Sequence, residues 1–91
     1  MALFTIEIEG KPVVVLAAEN RGEAAEMKED LAVLDDETGN RVWNGTSALF
    51  VREASPEEVS QWKEGFARAR QSGDAAEEDR EAWAIFLIKI R

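Results

Sequence analysis

The chain carries few groups able to make or break bonds. Its 91 residues include 19 Asp and Glu but no histidine, cysteine or tyrosine. Lacking histidine, no serine or threonine has its usual general base, and no imidazole is present to hold a metal. The absence of cysteine removes thiolate nucleophiles, zinc–thiolate sites and disulfides. What remains is carboxylate chemistry, either as a general acid/base pair or as oxygen ligands for a hard cation.

Neither has the required spacing. Asp35, Asp36, Glu37 and Asn40 surround Gly39, but the alternating acids of a calcium loop are missing. If Asp35 is the first position, Thr46 stands where the twelfth needs a bidentate glutamate. A second acidic group, Glu77, Glu78, Asp79 and Glu81, lies in a polar connection with no metal register. An acid/base dyad needs one carboxyl shielded from water so that it holds its proton at neutral pH. The acids nearest apolar segments are Glu7, Glu9 and Glu53, and the alternation of their strands puts each on the solvent side. Gly10-Lys11 shares only a dipeptide with a phosphate-binding loop, and Pro12 follows where Ser or Thr is needed. No catalytic, cofactor-binding or metal-ligating residue is assigned, and no cofactor is called for.

The aromatic residues suggest recognition. Trp62 and Trp83 fall on apolar stripes and are read as core. Trp43 ends a β-prone run beside a tight turn, where full burial is harder. With Phe4, Phe50 or Phe66 it can contribute to an exposed aromatic patch of the kind a partner-binding surface uses, with core packing the competing reading.

The elements that would position these residues follow from periodicity. Phe4, Ile6 and Ile8 alternate with Leu3, Thr5, Glu7 and Glu9, a half-buried strand whose second set faces water. A turn at Gly10-Lys11 leads into Pro12–Ala18, apolar on both faces and so interior to a sheet. Asn20 and Glu23 have capping-box spacing for a short helix carrying Ala24, Met27 and Leu31. From residue 31 to 53 the sequence predicts a three-stranded meander. Its first turn is the Asp/Gly/Asn cluster at 35–40, and its second is Asn44-Gly45, the strongest short signal for a type I′ turn. Ser55-Pro56-Glu57-Glu58 starts a second helix with serine as cap, proline at the first helical position and acids against the dipole. That helix carries Val59, Trp62, Phe66 and Ala69 and stops at Ser72-Gly73. A last strand, apolar on both faces, runs from about residue 81 to 90.

The expected fold is a single α+β domain over residues 1–91 in the order ββ-α-βββ-α-β. It has a mainly antiparallel, twisted sheet of about six strands with both helices on one face. Net charge of −8 repels phosphate backbones and anionic lipid, so neither nucleic acid nor membrane is expected as a partner. The first residues lack a basic segment ahead of an apolar one, and a cytoplasmic location is expected. The leading functional expectation is a non-enzymatic module that binds another protein or itself, for example as a homodimer. Strands apolar on both faces exceed what two helices on one face can cover. A carboxylate-based divalent-metal binder or enzyme, and an acidic mimic of nucleic acid, are the alternatives.

Overall fold

The computed structural model describes residues 2–90. Its elements are β1 (Ala2–Ile8), β2 (Lys11–Ala18), α1 (Arg21–Ala25), α2 (Lys28–Leu31), β3 (Leu49–Glu53), α3 (Pro56–Ser72), a 3-10 helix (Glu77–Ala82) and β4 (Ala84–Phe86). The four strands form one antiparallel sheet in the order β3-β1-β2-β4.

The first hairpin forms as its alternation predicts. Its turn lies one residue earlier, at Glu9 and Gly10, both with positive φ (53° and 80°). That is the combination a two-residue turn matching strand twist requires. The register slips between Ile6 and Glu7, so that Ile6 opposes Val14 and Glu7 opposes Pro12, leaving Val13 as the extra residue of a bulge. A bulge lets Pro12 lie inside the strand without costing a ladder bond.

The sheet is covered on both sides, which corrects the expectation of two helices on one face. Phe4, Ile6, Val14 and Leu16 point to one side, where Ala24 of α1 and Leu31 of α2 close over them. Val15 and Ala17 point to the other, beneath Trp62 of α3. Apolarity on both faces of β2 is thus satisfied within the chain, and it no longer argues for a partner covering a bare face. Trp62 and Phe66 stack with centroids 5.7 Å apart and Trp83 meets Phe66 edge-on. Burial of each large side chain contributes roughly 1.5–3 kcal/mol. Trp62 Nε1 donates to the Trp83 carbonyl at 2.9 Å, tying α3 to the start of β4. Gly65 lets β4 approach closely, since a Cβ there would lie 3.0 Å from Ile85 Cγ2.

The meander is the second correction: four strands and three α-helices replace six strands and two helices. Leu31, which the sequence places both on the first helix's apolar stripe and at the start of the meander, ends α2 as a fully buried residue. The 33–43 hairpin shrinks to one bridge, Asp35 with Arg41, flanked by Val42 N–H to Leu34 C=O (2.9 Å) and Asp36 N–H to Asn40 C=O (2.8 Å). Side chains take over where a ladder would have continued. Asp36 Oδ1 accepts from the Thr38 and Asn40 amides. Asn44 Oδ1 accepts from those of Thr46 and Ser47. Asx turns of this kind compete with sheet pairing for the same donors, so Asn44-Gly45 makes a loop and not a strand-to-strand turn. At the other end, Asp79 accepts from the Ala76 amide and Arg80 pairs with Glu77. These contacts wind 77–82 into a 3-10 helix and shorten the last strand to Ala84–Phe86.

Candidate functional site

Asp35, Asp36 and Glu37 of the first acidic cluster and Glu77 and Asp79 of the second are engaged by contacts within the chain. Asp35 pairs with Arg41 at 2.9 Å, Asp36 caps its own loop, and Glu37 lies 3.9 Å from Lys89. The Thr38 hydroxyl and the surrounding amides hold the Asp36 carboxyl below its ordinary value. Glu77 sits between Arg70 (2.6 Å) and Arg80 (2.9 Å), and the Arg80 hydrogen bond lowers its pKa. Among the described residues no three acidic side chains are grouped so as to hold a metal ion. Surface grooves of about 360 Å³ between α3 and β4 and about 370 Å³ over the first hairpin are open to solvent.

One polar cluster is buried, and it lies where the alternation of β1 pointed to water. Thr5 is fully buried because α3 crosses that side of the sheet. Its hydroxyl donates to Glu58 Oε1 at 2.8 Å. Glu58 is 8% exposed. It accepts the Ser55 amide (2.8 Å) and a two-pronged contact from Arg52, Nη1 to Oε1 at 2.8 Å and Nη2 to Oε2 at 2.9 Å. Arg52 Nε then reaches Glu7 Oε2 at 2.9 Å. The Arg52 hydrogen bonds hold the Glu58 carboxyl down at about 2, against the opposing effect of burial. They also raise the guanidinium further above its already high value. A carboxylate so held is neither a proton donor nor a poised base at neutral pH. The cluster joins β1, β3 and the first turn of α3. Its sequence signal is Thr5 inside an apolar strand together with the glutamate three residues after a cap.

The aromatic residues separate. Phe4 is 6% exposed in the core, on the side of the sheet that Ala24 of α1 and Leu31 of α2 close over. Trp43 is half-buried against the same core, with Nε1 donating to the Ser47 carbonyl at 2.9 Å. Phe50 is 58% exposed and shares the opposite side of β3 with Arg52, whereas Leu49 and Val51 turn toward the core. The three residues Trp43, Phe50 and Phe4 therefore do not make one patch; only Phe50 stands free.

Phe50 marks an edge. Among the described residues β3 pairs only with β1, and its other long side faces outward. Glu9 N–H to Ala48 C=O and Ala54 N–H to Leu3 C=O bracket the ladder. In an antiparallel pair such bonded positions alternate, so Phe50 and Arg52 spend their backbone groups on β1. Leu49, Val51 and Glu53 aim theirs at solvent; the Glu53 carbonyl is met by Arg52 Nη1 at 3.1 Å. The opposite edge is different. β4 is three residues long, and the chain beyond it is engaged by Glu37 N–H to Lys89 C=O and by a bridge between Asp36 and Ile90. The β3 edge also belongs to the longest run without a charged side chain, Val42 to Val51, bounded by Arg41 and Arg52. That run is the signal available in the sequence.

No helix among the described residues is long and apolar enough to cross a membrane. The chain matches no protein-family model, no curated protein and no solved structure.

Proposed function

We propose that this chain is a small non-enzymatic interaction module of the cytoplasm that binds protein by accepting a strand along the outer edge of β3. The observation that carries this reading is the pairing of outward-facing backbone groups at Leu49 and Val51 with the exposed ring of Phe50. An open edge is a template for strand addition: main-chain hydrogen bonds supply affinity and the flanking side chains supply selection. Proteins usually blunt such edges with charged side chains, proline or a covering loop; Ala48-Leu49-Phe50-Val51 contains no charge or proline, and the charged residues of β3, Arg52 and Glu53, stand at its far end. The engagement of Asp35, Asp36, Glu58, Glu77 and Asp79 by arginines and loop amides supports binding over carboxylate chemistry.

A photo-crosslinking residue placed at position 50 tests the reading in cells, with the same residue at Gln71, an exposed site on α3, as control. A protein adduct at 50 and not at 71 is expected. Equal labelling at both positions, or none at 50, overturns the proposal.

A further inference from the structure

We infer that the strand received by the β3 edge is β3 of a second copy, giving a two-fold dimer with one continuous eight-stranded sheet. This rests on the strand-addition reading above and specifies its partner. Two observations point to self-pairing.

The first is charge. Each copy carries −8 overall, so two copies repel over most of their surface. The ten residues from Val42 to Val51 carry no charge and are flanked by Arg41 and Arg52. Opposition between like charges falls off within about 8 Å at physiological salt, and this run is where two copies can approach with the least of it. The one carboxylate on the strand, Glu53, lies at its far end, outside positions 49–51.

The second is register. A two-fold axis through an antiparallel edge must pass through a residue position. With the axis at Val51, Leu49 faces Glu53 of the other copy, an apolar chain against a carboxylate. With the axis at Phe50, Leu49 faces Val51 twice through the backbone groups that point outward, and the two Phe50 rings meet on the other side of the sheet. Every position from 49 to 51 is then apolar against apolar, in pairs of the kind that stabilise adjacent strands. Five residues a side make an interface below the roughly 1,200–2,000 Å² of a stable complex, so the dimer is reversible and depends on concentration.

The geometry gives a direct chemical test, because the chain has no cysteine of its own. In the Phe50-centred register, position 50 faces its copy as a non-hydrogen-bonded pair with Cα atoms about 4.5 Å apart, inside the range a disulfide needs. Purified Phe50→Cys under mild oxidation is expected to form a covalent dimer at least tenfold faster than Gln71→Cys. Sedimentation of the unmodified protein is expected to show mass rising with concentration and with added salt. Phe50→Lys, at an exposed position that leaves the fold intact, weakens the association at least tenfold. A protein that stays monomeric throughout, or a Phe50→Cys variant that crosslinks no faster than Gln71→Cys, overturns the inference. The in-cell crosslink separates the two readings: a monomer whose position 50 captures a different protein removes the second copy and keeps the strand-accepting edge. A monomer with no adduct at 50 removes both.

Discussion

Replacing Glu58 by glutamine should flatten the acid side of the stability curve. In the folded chain this carboxyl is held at about 2 by Arg52, against an ordinary value of 4.5. A lowered folded-state pKa stabilises the ionised native protein above the unfolded value, and that contribution is lost as pH falls from about 5 toward 2. The gap corresponds to roughly 3 kcal/mol at pH 7, of which about 2 kcal/mol is gone at pH 3. The matching rise at Arg52 belongs to the same contact and is not added again. Glutamine keeps the size of the side chain and an oxygen for Thr5 and the Ser55 amide, but has no proton to take up. Urea unfolding at pH 7 and pH 3, for both proteins, reads the difference. The original protein should lose about 2 kcal/mol more than the variant between the two pH values, even though the variant starts from lower stability. Other carboxylates, such as half-buried Asp36 and exposed Glu77, also lose contacts in acid, but they do so equally in both proteins. Parallel pH profiles would refute the reasoning, because Glu58 would then not be held ionised by Arg52.

Other expectations follow from single contacts. Leu31→Ala empties a fully buried site between α2 and the sheet and should cost about 2–5 kcal/mol in urea unfolding. Gly73 ends α3 with φ of 83°, so Gly73→Ala forces a side chain into left-handed backbone and should cost about 1 kcal/mol, read by the same unfolding curve. Trp62→Phe removes the donor to the Trp83 carbonyl and should lower stability by about 1–3 kcal/mol, read by thermal unfolding. Phe50→Ser, at the exposed edge, should leave the thermal midpoint within a few degrees of the original; a large drop would mean that Phe50 is part of the core.

Local signals in the sequence are faithful wherever the structure is local. Ser55 with Glu58 makes the capping box, and Gly73 closes the helix. The alternation from Leu3 to Ile8 becomes β1. The failures come where side chains can satisfy the backbone in more than one way. Asp36 and Asn44 have turn chemistry and do make turns, but they bind their own loop amides so completely that no ladder follows. Thr5 shows another limit. Alternation divides a strand into two faces without saying which one a distant helix will cover, and α3 buries the more polar set. Glu58 looks like an ordinary first-turn acid because its partners Thr5 and Arg52 lie on other elements. The candidate site is hidden for a related reason. Phe50 is legible as a β residue and as a surface aromatic, yet its exposure depends on β3 lying outermost, and strand order is a non-local property. The grouping of Phe50 with Phe4 and Trp43 fails because Phe4 and Trp43 turn toward the core on the α1 side while Phe50 turns the other way.

The claim that the outer side of β3 is an open, strand-accepting edge can be read residue by residue from amide hydrogen exchange. In dilute protein the amides of Phe50 and Arg52, bonded to β1, should exchange slowly, and those of Leu49 and Val51, aimed outward, at least tenfold faster. Raising the concentration until copies pair should slow Leu49 and Val51 selectively. A Val51 amide as protected as that of Arg52 at high dilution, or one that exchanges rapidly at every concentration and in every complex, would contradict the account.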